Sequence, residues 1–256
     1  MGGIVSAANT QTKEDRHAYG SPEAKSAFSL LIVCSLLTLV LWFVPFASFL
    51  TYPFRLFVTL IHETGHALAA LLTFGGVKRI TIDWSGNGLT WTNGGVRLFI
   101  SSAGYIGATL YGAVLLLILR TRRFAKPAAI ATGILLLLIT IFLGGNLAVW
   151  VTGLVFGVGL LAIGLVAPEG AVHFFMSFLG VQALLNAFFD LKTLLYLSAL
   201  NPGQPTDAQN MAIATNGIIP AIAWSFGWAL ISLGILVLTL VIYYRSLKRA
   251  NPIKNS

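Results

Sequence analysis

The residues with the clearest chemical meaning are two histidines and a glutamate within five positions, His62-Glu63-Thr64-Gly65-His66. In a helix, residues four apart lie on one face and one turn apart, so both imidazoles point the same way. Two imidazoles so placed can bind one Zn²⁺, and Glu63 lies beside the same metal. This H-E-x-x-H pattern is typical of zinc hydrolases in which the glutamate acts as general base toward water.

The motif lies inside an apolar segment, residues 54–74, that is long enough to cross a bilayer. A charged side chain near the bilayer centre costs at least about 2.5 kcal/mol, so three ionisable groups there need compensation. A metal ion provides it, because the cation offsets the carboxylate and each imidazole donates a lone pair. The alternatives are a polar contact between helices and a metal-free descendant of a metal site.

A catalytic zinc ion usually takes three protein ligands, and Asp190 is the predicted third. Gln182, Asn186 and Asp190 recur at four-residue intervals in the sixth apolar segment and form a polar stripe. Such a stripe faces protein rather than lipid. The second and sixth segments run parallel, so Asp190 can meet the motif at similar depth. The alternatives are an ion pair between Asp190 and Lys192, or a cap at the helix end.

Other acidic and imidazole side chains fit a metal site less well. Glu169 and His173 flank the opposite end of the sixth segment from Asp190. Asp83 lies in a predicted hairpin, and His17 lies in the polar N-terminal segment. Asp207 lies in a polar connection, residues 201–216, where we expect a solvated carboxylate.

The composition indicates a protein whose surface faces lipid. Of the 256 residues, 57% are hydrophobic and only 9% are charged, against roughly 25% charged in soluble domains. The net charge of +8 comes from basic residues that flank apolar runs, which indicates headgroup contacts rather than a nucleic-acid partner. The single cysteine, Cys34, excludes an intrachain disulfide. We expect an integral, multi-pass membrane protein.

The predicted fold is an all-α polytopic bundle of about seven transmembrane helices, spanning residues 26–244. Six helices are the main alternative, because the break at Gly144-Gly145-Asn146 is weak. We expect residues 1–25 to be a disordered polar tail and residues 245–256 a basic C-terminal tail. With seven crossings, the basic loop at residues 120–126 and the C-terminal tail lie on one side, which the positive-inside rule makes cytoplasmic. The predicted segments are 26–50, 54–74, 98–119, 128–144, 147–166, 171–197 and 218–244.

The connection at residues 75–97 carries a β-hairpin signal. Ile80, Ile82 and Trp84 alternate with polar residues, a Ser-Gly-Asn-Gly turn follows, and Leu89 and Trp91 alternate again. We expect this small hairpin at the membrane interface, where tryptophan is favoured.

These features together resemble the site-2 protease family of intramembrane zinc metallopeptidases, and most of all its peptidase M50B-like branch. The resemblance is carried by residues 57–70 around the motif, the hairpin loop, residues 102–107 and residues 186–191. Four features depart from the usual family pattern. More helices lie between the two halves of the site, and the family topology would put the hairpin on the cytoplasmic side, against the distribution of charge. Asp190 is followed by Leu191 without the nearby proline, and no PDZ domain is inserted.

The resemblance implies a role for each site residue. His62, His66 and Asp190 would bind one zinc ion per chain, Glu63 would be the catalytic base, and Asn186 would help to position the substrate or the oxyanion. The hairpin would offer an edge strand to an extended substrate. The expected function is a zinc metalloendopeptidase that cleaves transmembrane segments of membrane proteins. The alternatives are a non-catalytic scaffold or transporter with a relic metal site, and a metal-dependent hydrolase of another lipid-phase substrate.

Overall fold

The computed structural model describes residues 22–44, 48–200 and 205–249 and consists mainly of helices. Most of the predicted tail at residues 1–25 therefore lies outside the described residues, as do residues 250–256. The elements in chain order are α1 (Pro22–Phe43), α2 (Ser48–Leu72), β1 (Gly76–Ile82), β2 (Gly88–Asn93), α3 (Arg97–Ile118), α4 (Ala125–Leu143), α5 (Leu147–Val166), α6 (Glu169–Leu200), α7 (Asp207–Ala214) and α8 (Ala221–Arg249).

Within the described residues, five helices are long and apolar enough to cross a membrane. They are α3, α4, α5, α6 and α8, so the multi-pass prediction holds while the count of seven is not confirmed. The remaining two predicted spans correspond to α1 and α2. In α1 the apolar stretch within the described side chains is Ser26–Leu41, which is shorter than the other five. In α2 the motif residues and Arg55 interrupt the apolar run. The helix is therefore long enough but not apolar enough to be counted with the five.

The largest differences from the predicted helix ends lie in three places. The first predicted span ran to residue 50, but α2 already begins at Ser48 and contains Pro53. A proline this close to the start removes only one of the first intrahelical hydrogen bonds, so the helix continues through it. α1 begins at Pro22 and α8 continues to Arg249. Helix therefore extends a few residues into both segments that were predicted as tails.

Helices α2 and α3 pack closely and run antiparallel. Gly65 lies directly against the backbone carbonyl of Ala103, and a side chain at Gly65 would overlap it. Further along, the rings of Phe57 and Tyr111 meet edge to face at 6.1 Å. The glycine allows the motif-bearing face of α2 to sit against the backbone of α3, which is how this pair positions the histidines.

The hairpin is confirmed, and it packs lengthwise along α2. Its strands pair antiparallel, from Gly76 opposite Asn93 to Ile82 opposite Gly88, with an irregularity between Val77 and Arg79. Tyr52 donates a hydrogen bond to the carbonyl of Trp84 at the hairpin turn. At the other end of α2, the Val96 N–H donates to Thr73 Oγ1. Ile80 and Ile82 are fully buried in the core beside α2. The position of the hairpin at the membrane interface stays a prediction.

The outer edge of β1 is covered by the turn between α4 and α5. Gly145 N–H donates to the Ile80 carbonyl at 2.7 Å, and the Asn146 amide donates to the Ile82 carbonyl at 2.7 Å. The sheet has only two strands among the described residues, so the outer edge of β2 is left without a strand partner. A free strand edge is a template for pairing with another extended chain.

Candidate active site

The two motif histidines lie on one face of α2 and point at a common centre. Their Nε2 atoms are 3.0 Å apart. His66 is buried, and its Nδ1 donates a hydrogen bond to the Ile100 carbonyl at 2.6 Å. A carbonyl only accepts, so the proton of the neutral ring is on Nδ1 and the lone pair is on Nε2. This hydrogen bond therefore aims a metal-binding lone pair at the neighbouring imidazole.

A third donor reaches the same centre from α7. Asp207 Oδ2 lies 3.3 Å from His62 Nε2 and 3.2 Å from His66 Nε2. A carboxylate binds metal in its ionised form, so Asp207 adds an anionic oxygen donor to the two imidazoles.

The geometry of these three donors fits a metal ion. Two ligands at about 2.0–2.1 Å from a tetrahedral zinc ion are about 3.3 Å apart, and the three separations here are 3.0, 3.2 and 3.3 Å. Lone pairs on His66 Nε2 and on the Asp207 carboxylate face each other across this small triangle. Such an arrangement is repulsive unless a proton or a cation lies between the donors. The chemistry and spacing of the donor set are therefore those of residues that could hold one metal ion.

Sequence reasoning missed Asp207, which we had expected to be a solvated loop residue. The structure places it at the first position of α7, a short helix within the predicted polar connection. The Thr206 side chain caps this helix by accepting from the Gln209 N–H. The sequence did carry a signal for the start of this helix, because Thr206 followed three positions later by Gln209 matches a capping box.

Asp190, the predicted third ligand, lines the same cavity as the motif. α6 therefore brings Asp190 to the cavity that the histidines line, and its role as a metal ligand stays a prediction. However, the closest described carboxylate to both imidazoles belongs to Asp207, and no hydrogen bond or ion pair joins Asp190 to either histidine among the described residues.

Asn186, the predicted substrate-positioning residue, is half-buried within α6. Its amide donates to the backbone carbonyl of Gln182 at 3.0 Å and lies 3.2 Å from the Gln182 side-chain oxygen. The residues that line the cavity do not include Asn186. Its assignment to the substrate stays a prediction from the family resemblance.

Glu63 is held beside the metal-binding atoms by the hairpin. Thr90 in β2 donates a hydrogen bond to Glu63 Oε2 at 2.6 Å. Gly88 in the same strand lies so close that an added Cβ would overlap the carboxylate. One donor atom of Glu63 falls within 4.8 Å of those of His62 and His66. Glu63 thus lies near the centre while its orientation is set by β2, as a general base requires.

The opposite side of the centre is formed by α3. A Cβ at Gly104 would collide with Nε2 of both His62 and His66, so only glycine permits this approach. The next residue, Tyr105, meets the His62 ring edge to face, with centroids 4.5 Å apart. The first two turns of α3 therefore shape one wall around the imidazoles.

These groups open into a cavity of about 860 Å³. Its walls come from α2, β2, α3, the second half of α6, and α7. They combine apolar side chains with hydroxyl groups and with the arginines Arg55 and Arg97. From β2 it is lined by Gly88, Leu89, Thr90 and Thr92, so the strand without an outer partner borders the space beside the histidines. A polar, partly open cavity of this size admits water.

Comparison with known proteins identifies the family of the chain. No curated protein and no solved structure matches the chain. The family model described as Peptidase M50B-like matches residues 31–239, which include the motif, the hairpin and all three metal-binding candidates. This confirms the family resemblance that the sequence predicted: the chain belongs to the Peptidase M50B-like family.

Proposed function

We propose that the protein is a zinc-dependent intramembrane endopeptidase that cleaves transmembrane segments of other membrane proteins. The observation that carries the proposal is the convergence of His62 Nε2, His66 Nε2 and Asp207 Oδ2 within 3.0–3.3 Å of one another, with Glu63 beside them. Three converging metal donors, a hydrogen-bonded imidazole and a carboxylate held by a separate strand favour a working site over a relic one.

His62, His66 and Asp207 would hold one zinc ion per chain. Their mutual distances favour Asp207 over Asp190 as the third ligand, and Asp190 then lines the cleft as an acidic wall residue. When bound, zinc supplies a Lewis acid that polarises a carbonyl and makes water acidic near neutral pH.

Glu63 supplies the proton transfers. Its carboxylate accepts the proton of the attacking water and passes it to the leaving amine as the peptide bond breaks. Thr90 keeps the carboxylate oriented through the hydrogen bond to Oε2, and Gly88 leaves no room for it to rotate toward β2. The burial of Glu63 also limits competing water around the base.

The substrate is a transmembrane segment that is locally unwound. Helical carbonyls are occupied by hydrogen bonds, so a helix must open before attack on one of them. The unpaired edge of β2 lies beside the cleft and offers backbone groups to an extended chain. The imidazoles contact α3 at Ile100 and Gly104, about 5–10 Å along the helix from its first residue. This depth favours cleavage near the end of a substrate helix.

The test is to purify the protein in detergent, measure zinc by elemental analysis, and incubate it with peptides that each carry one transmembrane helix. We expect about one zinc per chain, and cleavage that stops after chelation and returns when zinc is added back. Absence of zinc from protein that remains folded, or cleavage that survives chelation, would contradict the proposal. The double variant His62→Ala/His66→Ala is the matched control, because it should hold no zinc and cleave nothing.

A further inference from the structure

The phenol of Tyr105 has an unused hydroxyl beside the proposed metal centre. Three other tyrosines in the described residues each donate a hydrogen bond or share one: Tyr52 to the Trp84 carbonyl, Tyr111 with Thr132, and Tyr243 to the Leu116 carbonyl. Tyr105 lines the cavity, yet its hydroxyl makes no hydrogen bond to any residue that the structure describes. Largely buried phenol hydroxyls usually find a partner, so this one is available to a ligand in the cavity.

The Tyr105 ring is fixed on both sides. One side meets the His62 ring edge to face at 4.5 Å, and the other stacks on Trp228 of α8 at 5.8 Å with an angle of 23° between planes. Trp228 is itself held by a hydrogen bond from its Nε1 to Ser102 Oγ at 3.0 Å. A ring held between two neighbours presents its hydroxyl at a constant place, as a preorganised donor must.

That place lies near the reacting groups. Tyr105 contacts the His62 ring directly and lines the same cavity as Glu63, Asp190 and Asp207. Asp207 in turn contacts both imidazoles. Glu63 is turned toward β2 by Thr90, whereas Tyr105 approaches from α3, so the base and the phenol reach the centre from different elements.

The geometry points to Tyr105 as a catalytic hydrogen-bond donor that stabilises the negative charge developing on the scissile carbonyl oxygen. This rests on the proposed peptidase function. An ordinary phenol has a pKa of about 10 and stays protonated at neutral pH. When water adds to the carbonyl carbon, the electron pair of the C=O bond moves onto oxygen, and the Tyr105 O–H donates to that oxygen. Loss of one such donor typically lowers kcat by about 10²–10³-fold.

Tyr105→Phe tests this directly, because phenylalanine keeps the ring contacts with His62 and Trp228 and removes only the hydroxyl. The matched control is Tyr111→Phe, which removes a hydroxyl from the same helix where it bonds to Thr132 instead. We expect Tyr105→Phe to keep one zinc and a KM within about twofold, while kcat falls about 10²-fold. Tyr111→Phe should cleave at close to the wild-type rate.

A second measurement does not depend on turnover. A phosphinic peptide, which mimics the tetrahedral oxyanion, should bind Tyr105→Phe more weakly by about the same factor as the loss in kcat/KM. An uncleaved substrate analogue should bind both proteins equally. If Tyr105→Phe cleaves and binds the phosphinic peptide like wild type, the inference is wrong. Loss of zinc in Tyr105→Phe would also overturn it, since the residue would then act through His62. Failure of the wild-type protein to cleave would instead refute the proposed function.

Discussion

Asp207 Oδ2 lies 3.3 Å from His62 Nε2, although 145 positions separate the two residues in the chain. The contact joins α7, which follows the sixth predicted span, to the H-E-x-x-H helix. It also brings the third donor to within 3.2 Å of His66. The proposed metal centre is therefore closed by a short helix outside the spans rather than by a residue within a span.

The first prediction separates Asp207 from Asp190. Asp207→Ala should lose most of its zinc, because it removes the donor in contact with both imidazoles. Asp190→Ala should keep about one zinc per chain, because its carboxylate lines the cavity without contacting them. Zinc content after dialysis against a weak chelator measures this. The reverse pattern would restore Asp190 as the ligand.

The second prediction concerns Gly104, whose Cα faces the Nε2 atoms of both histidines. Gly104→Ala adds a Cβ that would collide with them, so zinc affinity should fall at least about tenfold, the scale of a disturbed metal environment. Gly227→Ala is the matched control, because an added Cβ there has no neighbour within 4 Å among the described residues. Equal zinc affinity in the two variants would show that the packing of α3 does not position the imidazoles.

The third prediction concerns the strand that holds the base. Gly88→Ala places a Cβ against the Glu63 carboxylate, which must then turn away from the attacking water. We expect zinc to stay bound while cleavage falls by about 10²-fold, as when a general base is misplaced. Because Gly88 does not touch the imidazoles, loss of zinc together with activity would mean that the hairpin supports the whole site rather than the base.

The fourth prediction concerns orientation in the membrane. α8 runs parallel to α3, since Trp228 bonds to Ser102 and Tyr243 bonds to the Leu116 carbonyl. The basic loop after α3 and the C-terminal end of α8 therefore lie at the same end of the bundle, and both should be cytoplasmic. Reporter fusions after Arg123 and after Ser256 test this. Reporters on opposite sides of the membrane would contradict the parallel arrangement of α3 and α8. Two reporters on the outside would contradict the positive-inside assignment.

Local patterns predicted much of this fold. The helix α5 matches its predicted span residue for residue, and α3 differs by one residue at each end. The hairpin followed from alternation of Ile80 and Ile82 with polar residues, and both isoleucines are fully buried. Each of these features depends on the period and composition of one short segment. That is why sequence alone could predict them.

The third donor could not be predicted in the same way. Its position depends on how α6 and α7 return the chain to α2, and no periodic signal in residues 201–216 records that path. The capping pattern at Thr206 and Gln209 predicts a helix start, but not what the helix faces. The polar stripe led instead to Asp190 and Asn186. The structure explains part of that stripe by the hydrogen bonds between Asn186 and Gln182.

The most direct test of the account is cleavage of a transmembrane peptide by the Glu63→Gln variant, with zinc measured in the same sample. Glutamine keeps the shape of the side chain and still accepts the hydrogen bond from Thr90, but it cannot take a proton from water. The account predicts about one zinc per chain and a cleavage rate at least about 10²-fold below wild type. Cleavage by Glu63→Gln at the wild-type rate would contradict the assignment of Glu63 as the base and the peptidase mechanism built on it.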